Sequence, residues 1–152
     1  MKILMPIDGS KCSEAAVREI TTRPWPADSQ VRLLYVLELY PRTLHGAGVL
    51  PPERYEDLEK LDRARSTDFL AEATTEIKKA GFREEDVTTV VAVGSPKRVI
   101  VDEAENWGAD LIIVGSHGDG ALKRFLLGSV SLAVAMHAAC SVMIVRSPDQ
   151  EA

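Results

Sequence analysis

Two glycine- and serine-rich turns stand out among the residues able to do chemistry. One is PIDGS, residues 6–10, and the other lies within IIVGSHGDGALKRFLLGSVSLAV, residues 112–134. In the second, Gly115, Gly118 and Gly120 follow an apolar run, and Gly128 with Ser129 opens another. Gly115 and Gly118 permit positive φ, and a helix opening at Gly128 presents unpaired N–H groups and the positive end of its dipole, both of which favour an anion. Phosphate is the anion such loops commonly hold, and Ser129 and Ser131 can add hydroxyl donors to its oxygens. The familiar phosphate motifs do not account for the run. Gly120 is followed by Ala121 where a Walker A sequence needs Lys and then Ser or Thr, and no Gly-x-Gly-x-x-Gly follows the first strand.

The other chemically capable side chains are sparse. Asp8 can help hold a metal ion on phosphates, or it can simply form the turn and cap a helix. His117 can contact ribose or phosphate, but no second His or Cys lies at ligand spacing, which argues against a protein-only zinc site. His45 and His137 read as structural or solvated. Cys12, near a helix start, reads as a packed thiol rather than a reactive one. Asp119 sets a negative charge inside the glycine run and opposes phosphate unless it points outward or meets Lys123, Arg124 or a metal ion. Those two basic residues can reach terminal phosphates or simply lie in solvent. No general base, nucleophile pair or arginine clamp is evident, so fast phosphoryl transfer has little support.

These residues must be positioned by the elements around them. KILMPI reads as a buried strand, followed by a helix over SEAAVREI with Ser13 as its cap and Glu14 in its first turn. VRLLYVLEL is a second strand, and Pro41 to Pro52 a long loop. From Glu53 to Ala80 the positions Leu58, Leu61, Ala64, Phe69, Ala73, Ile77 and Ala80 outline an amphipathic helix that stops at Gly81. VTTVVAV is a third strand; Ser95 and Pro96 open a helix running to Trp107; ADLIIV is a fourth strand, SVSLAVAMHA a fourth helix and SVMIV a fifth strand. This βαβαβαβαβ order predicts a single α/β domain over residues 1–152, an open parallel sheet with helices on both faces. In such sheets ligands bind beyond the strand ends where strand order reverses. If strands one and four flank that point, PIDGS and VGSHG face each other across it.

A chain of 152 residues can bury about 68–70% of its unfolded surface, enough for one core. The net charge of −5, with no basic stripe, argues against nucleic acid as a partner. Pro6 and Asp8 interrupt the first apolar run before a signal-peptide core forms, and no stretch reaches the ~18 apolar residues of a membrane span. Two cysteines, Cys12 and Cys140, give no disulfide framework and fit a reducing cytoplasm.

GSHGDGALKRFLLGSVS has the form Gly-x-x-Gly, nine residues, Gly-Ser, and resembles the nucleotide-binding motif of the universal stress protein family. PIDGS, VGSP, WGADLIIVGS and the closing CSVMIVR agree with it, so the likeness spans nearly the whole chain. It implies a five-stranded sheet in the order 3-2-1-4-5, an adenine nucleotide alpha hydrolase-like fold, with ATP or a related adenine nucleotide over strands one and four. Carried over by position, Pro6, Ile7 and Asp8 line the nucleoside side and the Val36 backbone meets adenine. Val114, Gly115, Ser116, His117, Gly118, Gly128, Ser129, Val130 and Ser131 surround ribose and phosphates. Mg²⁺ or Mn²⁺ with the phosphates would fall to Asp8. Against a turn that merely tolerates glycine, four glycines at the family spacing favour binding, and this sequence resembles the ATP-binding branch rather than the branch without the glycines. Ser141 stands where the family often has Pro, a departure at strand entry. The likeness further implies a homodimer through strand residues 142–146 and a nucleotide-responsive role in stress adaptation. The alternatives are a weak metal-dependent ATPase and a dimeric interaction protein that binds no nucleotide.

Overall fold

The computed structural model describes residues 1–38, 52–118 and 127–147. The loop expected from Pro41, and with it Asp119, Lys123 and Arg124, lies outside the described residues, apart from Pro52. The elements are β1 (Lys2–Pro6), α1 (Lys11–Thr22), β2 (Gln30–Leu37), α2 (Pro52–Lys79), β3 (Val87–Val93), α3 (Pro96–Trp107), β4 (Leu111–Gly115), α4 (Ser129–His137) and β5 (Ser141–Val145). All five strands run parallel in the order β3-β2-β1-β4-β5. The chain winds outward from β1 through β2 to β3, then returns past β1 to lay down β4 and β5. The reversal therefore falls between β1 and β4, as the likeness implies.

Period-two alternation divides the core between the two faces of the sheet. Ile3, Met5, Leu33 and Tyr35 meet α1 and α2 through Ala16, Ile20, Leu70 and Ile77. Leu4, Leu34, Ile112 and Val114 meet α3 and α4 through Ile100, Ala104 and Val134. Ile3, Leu4 and Met5 are each 0% exposed, which is why β1 reads as a continuous apolar run rather than an alternating one.

Two local expectations change. Ser10, not Ser13, caps α1: its Oγ accepts from the Ser13 backbone N–H at 3.2 Å, and the Ser13 hydroxyl donates to the Ser10 carbonyl at 3.0 Å. The helix begins one turn earlier because Ser10 is the extended residue with the reach to do so. In α2 the buried stripe starts only at Ser66 and continues through Leu70, Ala73 and Ile77, while Leu58 and Leu61 are 36% and 49% exposed. A 28-residue helix is ~42 Å long, more than the β2 strand beneath it can cover, and residues 54–65 include no buried side chain. Among the described residues no helix is long and apolar enough to cross a membrane.

Gly115, the last residue of β4, has ordinary φ, contrary to its expected left-handed freedom. What it supplies is space. A Cβ there would lie 2.7 Å from the Cys12 carbonyl carbon and 2.9 Å from the Ser13 nitrogen, both backbone atoms of α1. The start of α1 thus approaches β4 as closely as a hydrogen side chain allows. Gly115→Ala should push α1 away and destabilise the fold by roughly 1–3 kcal/mol, the usual scale of overpacking. Urea denaturation checks this; an unchanged midpoint would mean α1 does not press on β4.

Candidate functional site

At the carboxyl ends of β1 and β4 the structure opens a cleft of about 800 Å³. Its wall includes each residue that the likeness assigns to the nucleotide: Pro6 at the end of β1, Ile7 and Asp8 after it, Val36 in β2, Val114 to Gly118 at the end of β4, and Gly128 to Ser131 at the start of α4. Pro6, Ile7, Val114, Ser116, His117 and Ser131 are buried, Val36, Gly115, Gly128 and Val130 are half-buried, and Asp8, Gly118 and Ser129 are exposed.

The base of the glycine loop is closed by one carbonyl. Ser116 O accepts from the Gly128 N–H at 2.8 Å and lies 2.8 Å from the Ser131 hydroxyl, which also lies 2.9 Å from the Gly128 carbonyl. The Ser131 hydroxyl, at the cleft wall, thus also helps hold the loop's ends together. Gly128 is the N-cap of α4 and has no side chain to cap it. The first intrahelical bond runs from Leu132 N to Gly128 O, so the N–H groups of Ser129, Val130 and Ser131 have no backbone partner among the described residues. They lie at the cleft wall with the positive end of the helix dipole.

Across the cleft, Asp8 is held by its own turn. Its Oδ1 accepts from the Ser10 N–H at 3.0 Å, while Oδ2 lies 2.9 Å from where a Cβ on Gly118 would stand. Gly118 also has ordinary φ, so its missing side chain makes room for the Asp8 carboxylate. Gly9 does need left-handed backbone, φ 78°, and a side chain on it would run into the Phe69 ring of α2. Behind the turns, Ser10 Oγ donates to the His117 carbonyl at 3.3 Å, and Ser116 Oγ lies 3.1 Å from His117 Nδ1 and 3.5 Å from Cys12 Sγ. Cys12 is 1% exposed, the packed arrangement.

The cleft also contains residues that sequence reasoning missed. Leu34 and Ile100 add apolar surface beside Val36 and Val114; Pro96 joins them from the start of α3. The VGSP turn signalled that helix start but not its place at the cleft. Glu38, just beyond β2, and Asp62 of α2 also line it. Tyr35, buried inside β2, donates its hydroxyl to Asp62 Oδ1 at 2.7 Å and stacks on Phe69 with centroids 6.3 Å apart. Burial first, then the Asp62 hydrogen bond and charge, push the Tyr35 phenol far up, so it remains a neutral donor. Neither residue had a signal: Tyr35 is one more apolar letter in a strand, and Asp62 one more charge on a helix surface.

The cleft is electrically polarised. Carboxylates from Asp8, Glu38 and Asp62 line the side formed by β1, β2 and α2, whereas the opposite side offers N–H groups, hydroxyls and His117. No Lys or Arg lines it among the described residues. Nor do those residues include a cluster of three or more His, Cys, Asp or Glu side chains placed to hold a metal. Asp8 lines the cleft with Oδ1 engaged by the Ser10 N–H and Oδ2 beside Gly118.

Known proteins share this arrangement of chain. A universal stress protein of Methanocaldococcus jannaschii is 30% identical over 150 residues, taking in 99% of this chain and 84% of its own. A second universal stress protein of that organism, whose structure served as a test case for assigning biochemical function, superposes with TM-score 0.77 at 30% identity, over 95% of this chain and 94% of its own. A universal stress protein solved in complex with cAMP superposes with TM-score 0.69 at 26% identity, over 97% of each chain. The sequence profile of the Universal stress protein family matches residues 1–146. With strand order, glycine spacing and whole-chain similarity in agreement, the chain belongs to the universal stress protein family.

Proposed function

We propose that the cleft binds an adenine nucleotide, ATP or a close relative, and that the protein is a cytoplasmic nucleotide-responsive module in stress adaptation. The observation that carries this reading is the uncapped N-terminus of α4 opening onto a cleft that also presents the apolar Pro6, Ile7, Val36 and Val114. The phosphates lie at Gly118, Gly128, Ser129 and Val130, where backbone N–H groups and the helix dipole favour an anion. The nucleoside lies over Pro6, Ile7, Val36 and Val114. The cleft's size is that of ordinary small-molecule sites, ~300–1,000 Å³. The cAMP complex of a relative supports the ligand class.

Asp8 is the residue to hold Mg²⁺ or Mn²⁺ against the phosphates. Such an ion is bound through one or two carboxylates plus phosphate oxygens, and it would supply the positive charge that the described cleft wall lacks. Asp8 itself contributes one carboxylate oxygen and, through Ser10, a fixed orientation.

The protein should take up ATP with micromolar-range affinity, the scale of many metabolite sites. Equilibrium dialysis at millimolar nucleotide checks this, and absence of uptake would overturn the reading. Gly118→Val should weaken binding roughly tenfold to a hundredfold, since overpacking of about 1–3 kcal/mol falls on the Asp8 carboxylate at the cleft. Titration of the two proteins side by side measures the loss; equal affinities would remove Gly118 from the site.

We also propose a homodimer formed through β5, residues 142–146. β5 is an outermost strand, Val142, Met143 and Ile144 are half-buried, and on neighbouring α4 Leu132 and Met136 are 46% and 68% exposed. An apolar sheet edge of this kind invites pairing with a second edge. Sedimentation equilibrium should give twice the 16.6 kDa chain mass, and a monomer mass at tens of micromolar would refute the pairing.

A further inference from the structure

A second cavity, of about 330 Å³, lies between α1 and α2, at the lower end of the size range of small-molecule sites. From α1 it takes Glu14, Val17, Arg18 and Thr21, and from α2 Phe69, Glu72, Ala73 and Glu76. Both sets follow the spacing i, i+3, i+4, i+7, so one face of each helix confronts the other across the gap. The floor is apolar: Ile7 and Ala73 are buried, and Val17 and the Phe69 ring are half-buried. The rim is exposed and charged, three carboxylates against the one guanidinium of Arg18. Glu76 is paired with Lys79 of its own helix at 2.8 Å, but Glu14, Arg18 and Glu72 form no ion pair among the described residues. Acid therefore faces acid across the gap, and a cation entering it is attracted from both sides.

We infer that this groove is a second ligand site, for a small organic cation with an apolar body, and that its ligand is coupled to the nucleotide through a shared wall. An ammonium group at the rim meets the carboxylates. The apolar body covers Val17 and Ala73 and lies against the Phe69 ring, whose face attracts a cation as well as apolar surface. The shared wall is the turn after β1 with the first turn of α1, since Ile7 and Ser13 line both cavities. The Phe69 ring sits against that turn: a Cβ on Gly9 would stand 2.2 Å from its Cζ. Asp8, between Ile7 and Gly9, lines the cleft on the other side. A ligand packed on Phe69 therefore acts on the turn that carries Asp8. The coupling rests on the nucleotide reading above, whereas occupancy of the groove does not.

Titration of the whole protein with phenethylamine, followed through its amide NMR signals, tests the site. The amine should shift Gly9, Val17, Phe69 and Ala73 with a Kd of ~1 mM or tighter, the scale of a small fragment. Phenethyl alcohol, which keeps the ring without the charge, should bind roughly threefold more weakly, the scale of an exposed ion contact. The double variant Glu14→Gln, Glu72→Gln, at two exposed positions, should erase that preference and leave the affinity for the alcohol unchanged. Saturating amine should change the affinity for ATP by roughly fivefold or more, and ATP should change the affinity for the amine by the same factor. Absence of groove shifts at ~10 mM amine, ten times that Kd, would overturn the site. Shifts confined to Val36, Asp62 and Gly118 would also overturn it, by placing the amine at the carboxylates of the nucleotide cleft. Equal affinities of wild type for amine and alcohol would overturn the cation preference, and groove binding that leaves the ATP affinity unaltered would overturn the coupling. Failure of wild type to take up ATP would refute the nucleotide reading, with the groove judged by the amine titration alone.

Discussion

The peptide group of Ser116 joins the elements that make the cleft. Its N–H donates to the Val145 carbonyl of β5 at 2.7 Å, and its carbonyl accepts from Gly128 N at 2.8 Å with the Ser131 hydroxyl at the same distance. The residue is 0% exposed, so these bonds form away from competing water, where breaking one leaves a buried polar group unmet. The consequence is positional. Chain that leaves β4 is returned to within a hydrogen bond of its departure point before α4 begins, so the open end of that helix is fixed beside the strand that carries His117 and Gly118. A strand end and a helix start separated by a dozen residues are thereby presented to a ligand as one surface.

The close approach at Gly115 complements this bond from the other side. It lets α1 press on β4, and α1 is in turn capped by Ser10, whose hydroxyl also contacts the His117 carbonyl at 3.3 Å. Asp8 thus stands on a turn braced against both β4 and α2, the latter through Phe69 over Gly9. Each missing side chain admits a different neighbour: α1 backbone at Gly115, the Asp8 carboxylate at Gly118 and the Phe69 ring at Gly9. The cleft attracts an anion because α4 starts with a glycine that cannot cap it.

The sequence disclosed this site unevenly. Apolar runs and the alternation of helical and strand periods made the strands and their parallel order legible, since burial on both faces leaves β1 and β4 without a polar face. Glycine spacing marked the loop, yet it did not reveal what each glycine does: Gly115 admits α1, Gly118 admits a carboxylate, and Gly9 alone of the three needs positive φ. Ser131 reads as a ligand donor from its place near a helix start, and nothing in the sequence signals that its hydroxyl also meets Ser116 O. Asp62 and Tyr35 were illegible because their meaning lies in a contact across 27 residues, between a helix face and a strand interior that periodicity treats as unrelated.

That contact changes how α2 is understood. As an amphipathic helix it need only cover the sheet, and from Ser66 to Ile77 it does. Its earlier turns extend past the sheet with Leu58 and Leu61 exposed, which hydrophobic burial alone does not explain. They do carry Asp62 to the rim of the cleft, where Tyr35 holds it. The phenol is buried and stays protonated, so it donates to the Asp62 carboxylate at 2.7 Å, a charge-assisted bond. The same bond ties α2 to β2 and holds the Asp62 carboxylate at the cleft wall, so the helix that covers one face of the sheet also contributes a charge to the site.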